Sequence, residues 1–336
     1  MSGDTQTGRF ALGDLKLQSG EVLRNASLSW KTYGTLSPAR DNVIVYPTSY
    51  TARHIDQEWL IGPDGILDST RWFVVTPDMF ANSLSSSPST DAGYPSLVTT
   101  ADNVRAQQRL LANEFGIERV ACVYGFSMGA QQAYHWAALF PDRVERAVVV
   151  CGSAKTAVHN QVFLRSLLAT LEAAPEHVGG GRFSAEPHPA VRAFARIYAG
   201  WAMSQDWYRA GLHLSSTGAK TLDEFLDAHW APGFTRCTAA DLYAQACTWM
   251  ASDISANELY GGDLAAALQA IEANVLLMPG RTDLYFPVAD NALDLPHLRR
   301  AELRPIPSIW GHRAGSPAQN PDDFAFLRGA VRDWLG

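Results

Sequence analysis

Short runs of β-branched and apolar residues alternate with longer stretches of helical period through the first half of the chain. Residues 43–46 and 72–76 read as strands, each closed by a proline, Pro47 and Pro77. Between positions 98 and 115 apolar residues recur at helical spacing (Val104, Leu110, Leu111), and Gly116 stands where such a helix stops. Residues 119–124 predict a buried strand, 128–140 a helix closed by Pro141, and 147–151 the next strand. Strand, helix and strand at this rhythm imply a parallel sheet with right-handed crossovers.

From about residue 155 the rhythm changes. Helical stretches follow one another at 160–173, 190–203, 222–229 and 239–250, punctuated by the glycines at 179–181 and the Ser-Ser-Thr-Gly turn at 215–218. The strand–helix alternation then resumes: a strand at 274–278, a helix near 288–295, a strand at 301–305 and a closing helix at 321–335. The pattern predicts an α/β core made of residues 1–154 and 274–336. Residues 155–273 are expected to form a helical cap over the carboxyl edge of a mostly parallel sheet flanked by helices.

Composition narrows the function. Among 336 residues, 27 are Lys or Arg and 34 Asp or Glu, a net charge of −7 with no basic cluster, which argues against nucleic acid or an anionic membrane as partner. The four cysteines (Cys122, Cys151, Cys237, Cys247) show neither a CxxC pair nor zinc spacing. Cys122 and Cys151 sit in strand-like runs and read as buried free thiols. Residues 1–10 lack the apolar stretch of a secretion signal, and no apolar segment approaches the ~18 residues of a membrane span, so a cytoplasmic location is expected. No HExxH, GxGxxG or phosphate loop occurs, so neither a metal nor a tightly held nucleotide is expected.

The sharpest local signal is Gly125-Phe126-Ser127-Met128-Gly129, a G-x-S-x-G set between a predicted strand and a predicted helix. Reversing from strand to helix in so few residues strains the central serine, and glycines relieve crowding on either side. The hydroxyl then projects at a helix amino end, where free N–H groups favour developing negative charge. The flanking strand and helix set this apart from a serine in an ordinary glycine-bracketed turn. Ser127 is therefore the candidate nucleophile.

A serine needs a base to take its proton and an acid to orient that base. In this architecture they follow in chain order, acid and then histidine, each after a late strand. Asp283 follows the strand at 274–278, and His312 follows the strand at 301–305. The rival acid Asp290 lies inside the next helical pattern, and His297 in a helical or pre-strand stretch. The oxyanion needs two N–H donors. One is expected from Met128, the other from the loop after the early strand, where Pro47 has no N–H and Thr48 is favoured over Ser49.

With these pieces placed, the sequence resembles the homoserine O-acetyltransferase-like branch of the α/β-hydrolase fold, over nearly its whole length. The stretch 102–107 is similar to that family's helix before the nucleophile strand, and 125–137 to its nucleophile motif, with Met after Ser. Residues 141–144 also match. Arg165, the Gly-Gly-Arg at 180–182 and Arg196 echo its cap helices, and 283–287 resembles the motif carrying its aspartate. The resemblance implies the triad Ser127, Asp283 and His312, and a dimer through the cap helices.

Three departures bear on substrate. The transferases carry an Asp after the catalytic His, where it meets the substrate's ammonium; here that position is Arg313. A cation there would repel an amine and could pair with a carboxylate. The loop at 82–88 is serine-rich where the family's is rich in glycine and threonine, and the oxyanion loop reads Thr48-Ser49-Tyr50 instead of ending in glycine. Ser49, Tyr50 and Arg313 are thus the expected substrate contacts, the alternative for Arg313 being a solvent-exposed or salt-bridged residue, and homoserine itself is not expected to be the substrate. The expectation is a serine-dependent acyl-transfer enzyme that hydrolyses an ester, thioester or activated amide of a small molecule, with no bound cofactor. The alternatives are an acyl-CoA-dependent O-acyltransferase, with acyl-CoA as co-substrate, and a non-catalytic binding module. Most cap aromatics read as packing, some as walls of an acyl pocket.

Overall fold

A computed structural model describes residues 5–336. Strands β1 (Gln6–Lys16) and β2 (Val22–Tyr33) form a long antiparallel hairpin. The shorter apolar runs follow as β3 (Val43–Val45), β4 (Phe73–Pro77), β5 (Cys122–Phe126) and β6 (Arg146–Val150), almost wholly buried as central parallel strands must be. A separate small hairpin, β7 (His177–Gly179) with β8 (Arg182–Phe183), interrupts the stretch expected to be all helical. The sheet resumes with β9 (Asn274–Met278) and β10 (Ala301–Leu303). Its order is β1-β2-β4-β3-β5-β6-β9-β10, antiparallel up to β4 and parallel beyond it.

Helices α1 (Thr100–Phe115) and α2 (Met128–Leu139) cover one face of the sheet. Gly116 ends α1 in the left-handed region at φ 65°, a conformation glycine adopts without a Cβ penalty. The opposite face packs Tyr46, Tyr124 and Met278 against the closing helix Pro321–Leu335.

After β6 come α3 (Val158–Glu172) and α4 (His188–Ala202), then several short helices and the helix Ala239–Met250. These share an apolar cluster with Tyr50, Met128, Tyr285 and Phe286, so the inserted helices sit directly on the loops beyond the carboxyl ends of β3, β5 and β9. The stretch read as one helix at 222–229 is broken: an α-helical turn, Leu222–Phe225, runs into a π-helical one, Leu226–Trp230. The helix Leu264–Ala270 lies outside this cluster. Its Ala267 and Leu268, with Ile254 and Ile271, pack beside α1 and α2 under the sheet.

Candidate active site

The reversal from β5 into α2 is made at Ser127, which adopts φ 58° and ψ −125°. That positive φ is rare outside glycine and marks stored strain. The neighbouring glycines are sterically required. A Cβ on Gly125 would lie 2.1 Å from the carbonyl oxygen of Gly129, and one on Gly129 would lie 2.8 Å from that of Pro47. Glycine at both positions thus lets the strand, the helix start and the loop after β3 converge on one hydroxyl.

His312 and Asp283 approach from the loops after β10 and β9. His312 Nε2 lies 2.9 Å from Ser127 Oγ, and His312 Nδ1 lies 2.7 Å from Asp283 Oδ2. The other carboxylate oxygen, Oδ1, accepts the main-chain N–H groups of Tyr285 (2.8 Å) and Phe286 (3.2 Å), so the acid is fixed before it meets the imidazole. The imidazole ring stands between Phe126 and Tyr285, with centroids 4.8 and 4.9 Å away, and Phe286 close by. Gly311 has φ 58°, and a Cβ there would press on the Ala202 carbonyl 2.7 Å away, so the histidine loop packs tightly against the end of α4.

Cys151 completes a buried group with Asp283 and His312, one donor atom from each lying within 4.8 Å of the others. The chemistry of this set does not favour a metal. Both imidazole nitrogens already have partners, and burial together with the Asp283 charge pushes the Cys151 thiol well above its ordinary pKa.

The loop after β3 departs from the sequence expectation. The Thr48 N–H donates to the Pro77 carbonyl at 3.2 Å, its hydroxyl accepts from the Met79 N–H at 2.9 Å, and the residue is fully buried. Its amide is therefore engaged in holding the loop to β4. The main-chain N–H groups of Ser49 and Met128 have no acceptor among the described residues, and Ser49 lines the cavity beside Ser127. The Ser49 hydroxyl donates to the Phe126 carbonyl, which ties this loop to the nucleophile strand.

A cavity of about 330 Å³ opens over Ser127 and His312. Tyr50 presents its ring there, stacked on Tyr198 at 5.7 Å, while its hydroxyl donates to the Leu242 carbonyl at 2.8 Å. Trp207, Trp230 and Trp310 line the cavity, whereas Trp249 is buried in the packing beneath. Arg313 lines it as an exposed side chain with no ion pair or side-chain hydrogen bond among the described residues. Sequence reasoning missed Tyr198 and Arg236. The second reaches back from the insertion to Asp56, and a pairing across 180 residues leaves no local signature.

Residues 58–312 match the alpha/beta hydrolase fold family. The chain belongs to that family. This α/β hydrolase is similar to a probable esterase of Corynebacterium glutamicum, 36% identical over 90% of this chain and 88% of that protein. It is also similar to an ethyl acetate hydrolase of Pseudomonas veronii, 32% identical over 93% of this chain and 91% of that protein. The solved structure of an acetylester hydrolase from Corynebacterium glutamicum superposes with a TM-score of 0.90 at 32% identity, covering 97% of this chain and 96% of the other. Homoserine O-acetyltransferases are among its further relatives, as the sequence resemblance implied. The α/β hydrolase is accordingly an enzyme of the serine hydrolase and acyltransferase class. Among the described residues, no helix is long and apolar enough to cross a membrane.

Proposed function

We propose that this α/β hydrolase cleaves small carboxylic esters through an acyl-enzyme on Ser127. The observation that carries the reading is the bridge made by His312, 2.9 Å from the hydroxyl on one side and 2.7 Å from Asp283 on the other. Ser127 Oγ attacks the ester carbonyl carbon while His312 Nε2 takes its proton. The Met128 and Ser49 amides hold the oxyanion; Ser49 replaces Thr48 because the Thr48 amide is already bonded to Pro77. The carbon–oxygen bond to the alcohol breaks as the imidazolium returns the proton to the leaving oxygen. Water, deprotonated by the same imidazole, then releases the acid and restores the serine. Asp283, held by two amides, keeps the imidazole oriented throughout. Apart from the ester and water, every group in this cycle belongs to the chain, so the reading calls for no bound cofactor.

The inserted helices, up to about residue 250, act in this reading as the cap that roofs the cavity. Relatives named for ethyl acetate and acetyl-ester hydrolysis support short acyl groups. Incubation with p-nitrophenyl acetate tests the reading: a burst of nitrophenol, one equivalent per chain, followed by steady turnover is expected, and its loss in Ser127→Ala. A second reading, transfer of an acyl group from acyl-CoA to an alcohol, is favoured by the homoserine O-acetyltransferase relatives. It would be preferred if an acyl-enzyme formed from acetyl-CoA were discharged by alcohols far faster than by water.

A further inference from the structure

The wall of the cavity over Ser127 is electrostatically one-sided. Among the described residues, its ionisable groups apart from two tyrosines and His312 are His229, Arg236 and Arg313, and no Asp or Glu lines it. Arg236 is already neutralised by Asp56, which accepts from two of its nitrogens at 2.8 and 2.7 Å. Arg313 has no such partner among the described residues. An arginine stays charged in any surroundings, and its planar guanidinium suits a planar anion that it can grip with two N–H groups. Trp207 lines the same cavity and is 2% exposed, and among the described residues its indole N–H has no acceptor, a second donor without a partner there.

Resting on the ester-hydrolase reading above, we infer that the substrate carries a carboxylate and that Arg313, next in the chain to His312, is its counter-ion. The substrate class is then the esters of short dicarboxylic acids with one free carboxylate, or the acyl esters of hydroxy acids. The anion sits on the acyl side in the first case and on the alcohol side in the second.

Two pairs of esters that differ only by carboxylate against carboxamide test this on the full chain. Monoethyl succinate against ethyl succinamate places the charge on the acyl side, and acetoxyacetate against acetoxyacetamide places it on the alcohol side. The expected result is a kcat/KM about tenfold or more higher for the anion in one of the pairs, as a charge-assisted hydrogen bond gives. Arg313→Gln should bring that ratio to unity or below, and Arg313→Lys should keep part of it. The ratio is read within one preparation, so a partly unfolded variant does not imitate its loss. A wild-type ratio at or below one in both pairs overturns the inference, as does a ratio unchanged in Arg313→Gln. Hydrolysis of p-nitrophenyl acetate without any turnover of the anionic esters overturns it alone. Failure of a fluorophosphonate to label Ser127 sinks the hydrolase reading beneath it.

Discussion

Arg236 grips Asp56 through two nitrogens, at 2.8 and 2.7 Å, and the same guanidinium donates to the Thr51 carbonyl at 3.1 Å. One side chain of the inserted helices thus holds the loop that carries Ser49 and Tyr50. Bidentate geometry makes this pair stronger than an ordinary exposed salt bridge, though both side chains remain about a third exposed. Burial alone would raise the Asp56 carboxyl; hydrogen bonds from Arg236 and the Arg53 amide outweigh it and hold the pKa below its ordinary 3.8.

Arg236→Gln should cost about 1 kcal/mol in denaturant unfolding and lower kcat/KM several-fold, because a loosened loop misplaces the Ser49 amide. Since the folded carboxyl has the depressed pKa, its contribution is complete above pH 4 and lost only as pH falls below that. The stability difference between wild type and variant should therefore be flat from pH 5 to 8. A difference that changes across that range contradicts the assignment.

The nucleophile, base and acid should fail as a unit. Ser127→Ala and His312→Ala are each expected to lower kcat by about 10⁴-fold or more, and the double variant by no more than the worse single one. Initial rates on p-nitrophenyl acetate check this. Additive losses in the double variant would separate two residues that the 2.9 Å contact joins.

At the elbow, Gly125→Ala would drive a Cβ to 2.1 Å from the Gly129 carbonyl, backbone against backbone with nothing to yield. We expect a loss of about 3 kcal/mol or more, or no folded protein at all. Gly200, inside α4, is the contrast: a Cβ there meets nothing within 4 Å and the backbone is already helical. Gly200→Ala should stabilise by about 0.5–1 kcal/mol in chemical denaturation.

Two buried groups should tilt the pH dependence of stability in opposite directions. Burial lowers His135 to about 4, despite the hydrogen bond to the Gln131 carbonyl. Its contribution is present above pH 6.5 and lost as pH falls toward 4. Burial raises Asp294 to about 7, so its contribution is complete below pH 4 and lost as pH rises through 7. In His135→Asn stability should hold or rise as pH drops from 7 to 4.5; in Asp294→Asn it should fall more steeply than in wild type. Parallel profiles for the two variants would contradict both assignments.

The parallel half of the sheet was legible in the chain because most strands there are short apolar runs alternating with helical stretches. The sequence strand at 274–278 matches β9 residue for residue, and the closing helix at 321–335 does likewise. The β1–β2 hairpin was not legible. Its register shifts between Ala11 and Gly13 and again between Gly13 and Leu15, and Asn25 turns to φ 47°, so the alternation of apolar positions breaks on both strands. That Asp283 and His312 stand in loops after late strands, in contact with each other, was legible from chain order. That the Thr48 amide is engaged could not be read, because its bond to Pro77 joins segments about thirty residues apart and nothing local records it. The break at residues 226–230 was hidden for a related reason: a π-helical turn keeps helical composition while shifting which side chains, His229 among them, reach the cavity.

The account rests on Ser127 being the one cavity hydroxyl activated by His312, 2.9 Å away. Mass spectrometry of peptides after a fluorophosphonate reaction tests this directly. The account predicts one adduct per chain, on the peptide carrying Ser127, formed far more slowly in His312→Ala and absent in Ser127→Ala. A folded wild-type chain that stays unmodified, or that carries the adduct on another residue, contradicts it.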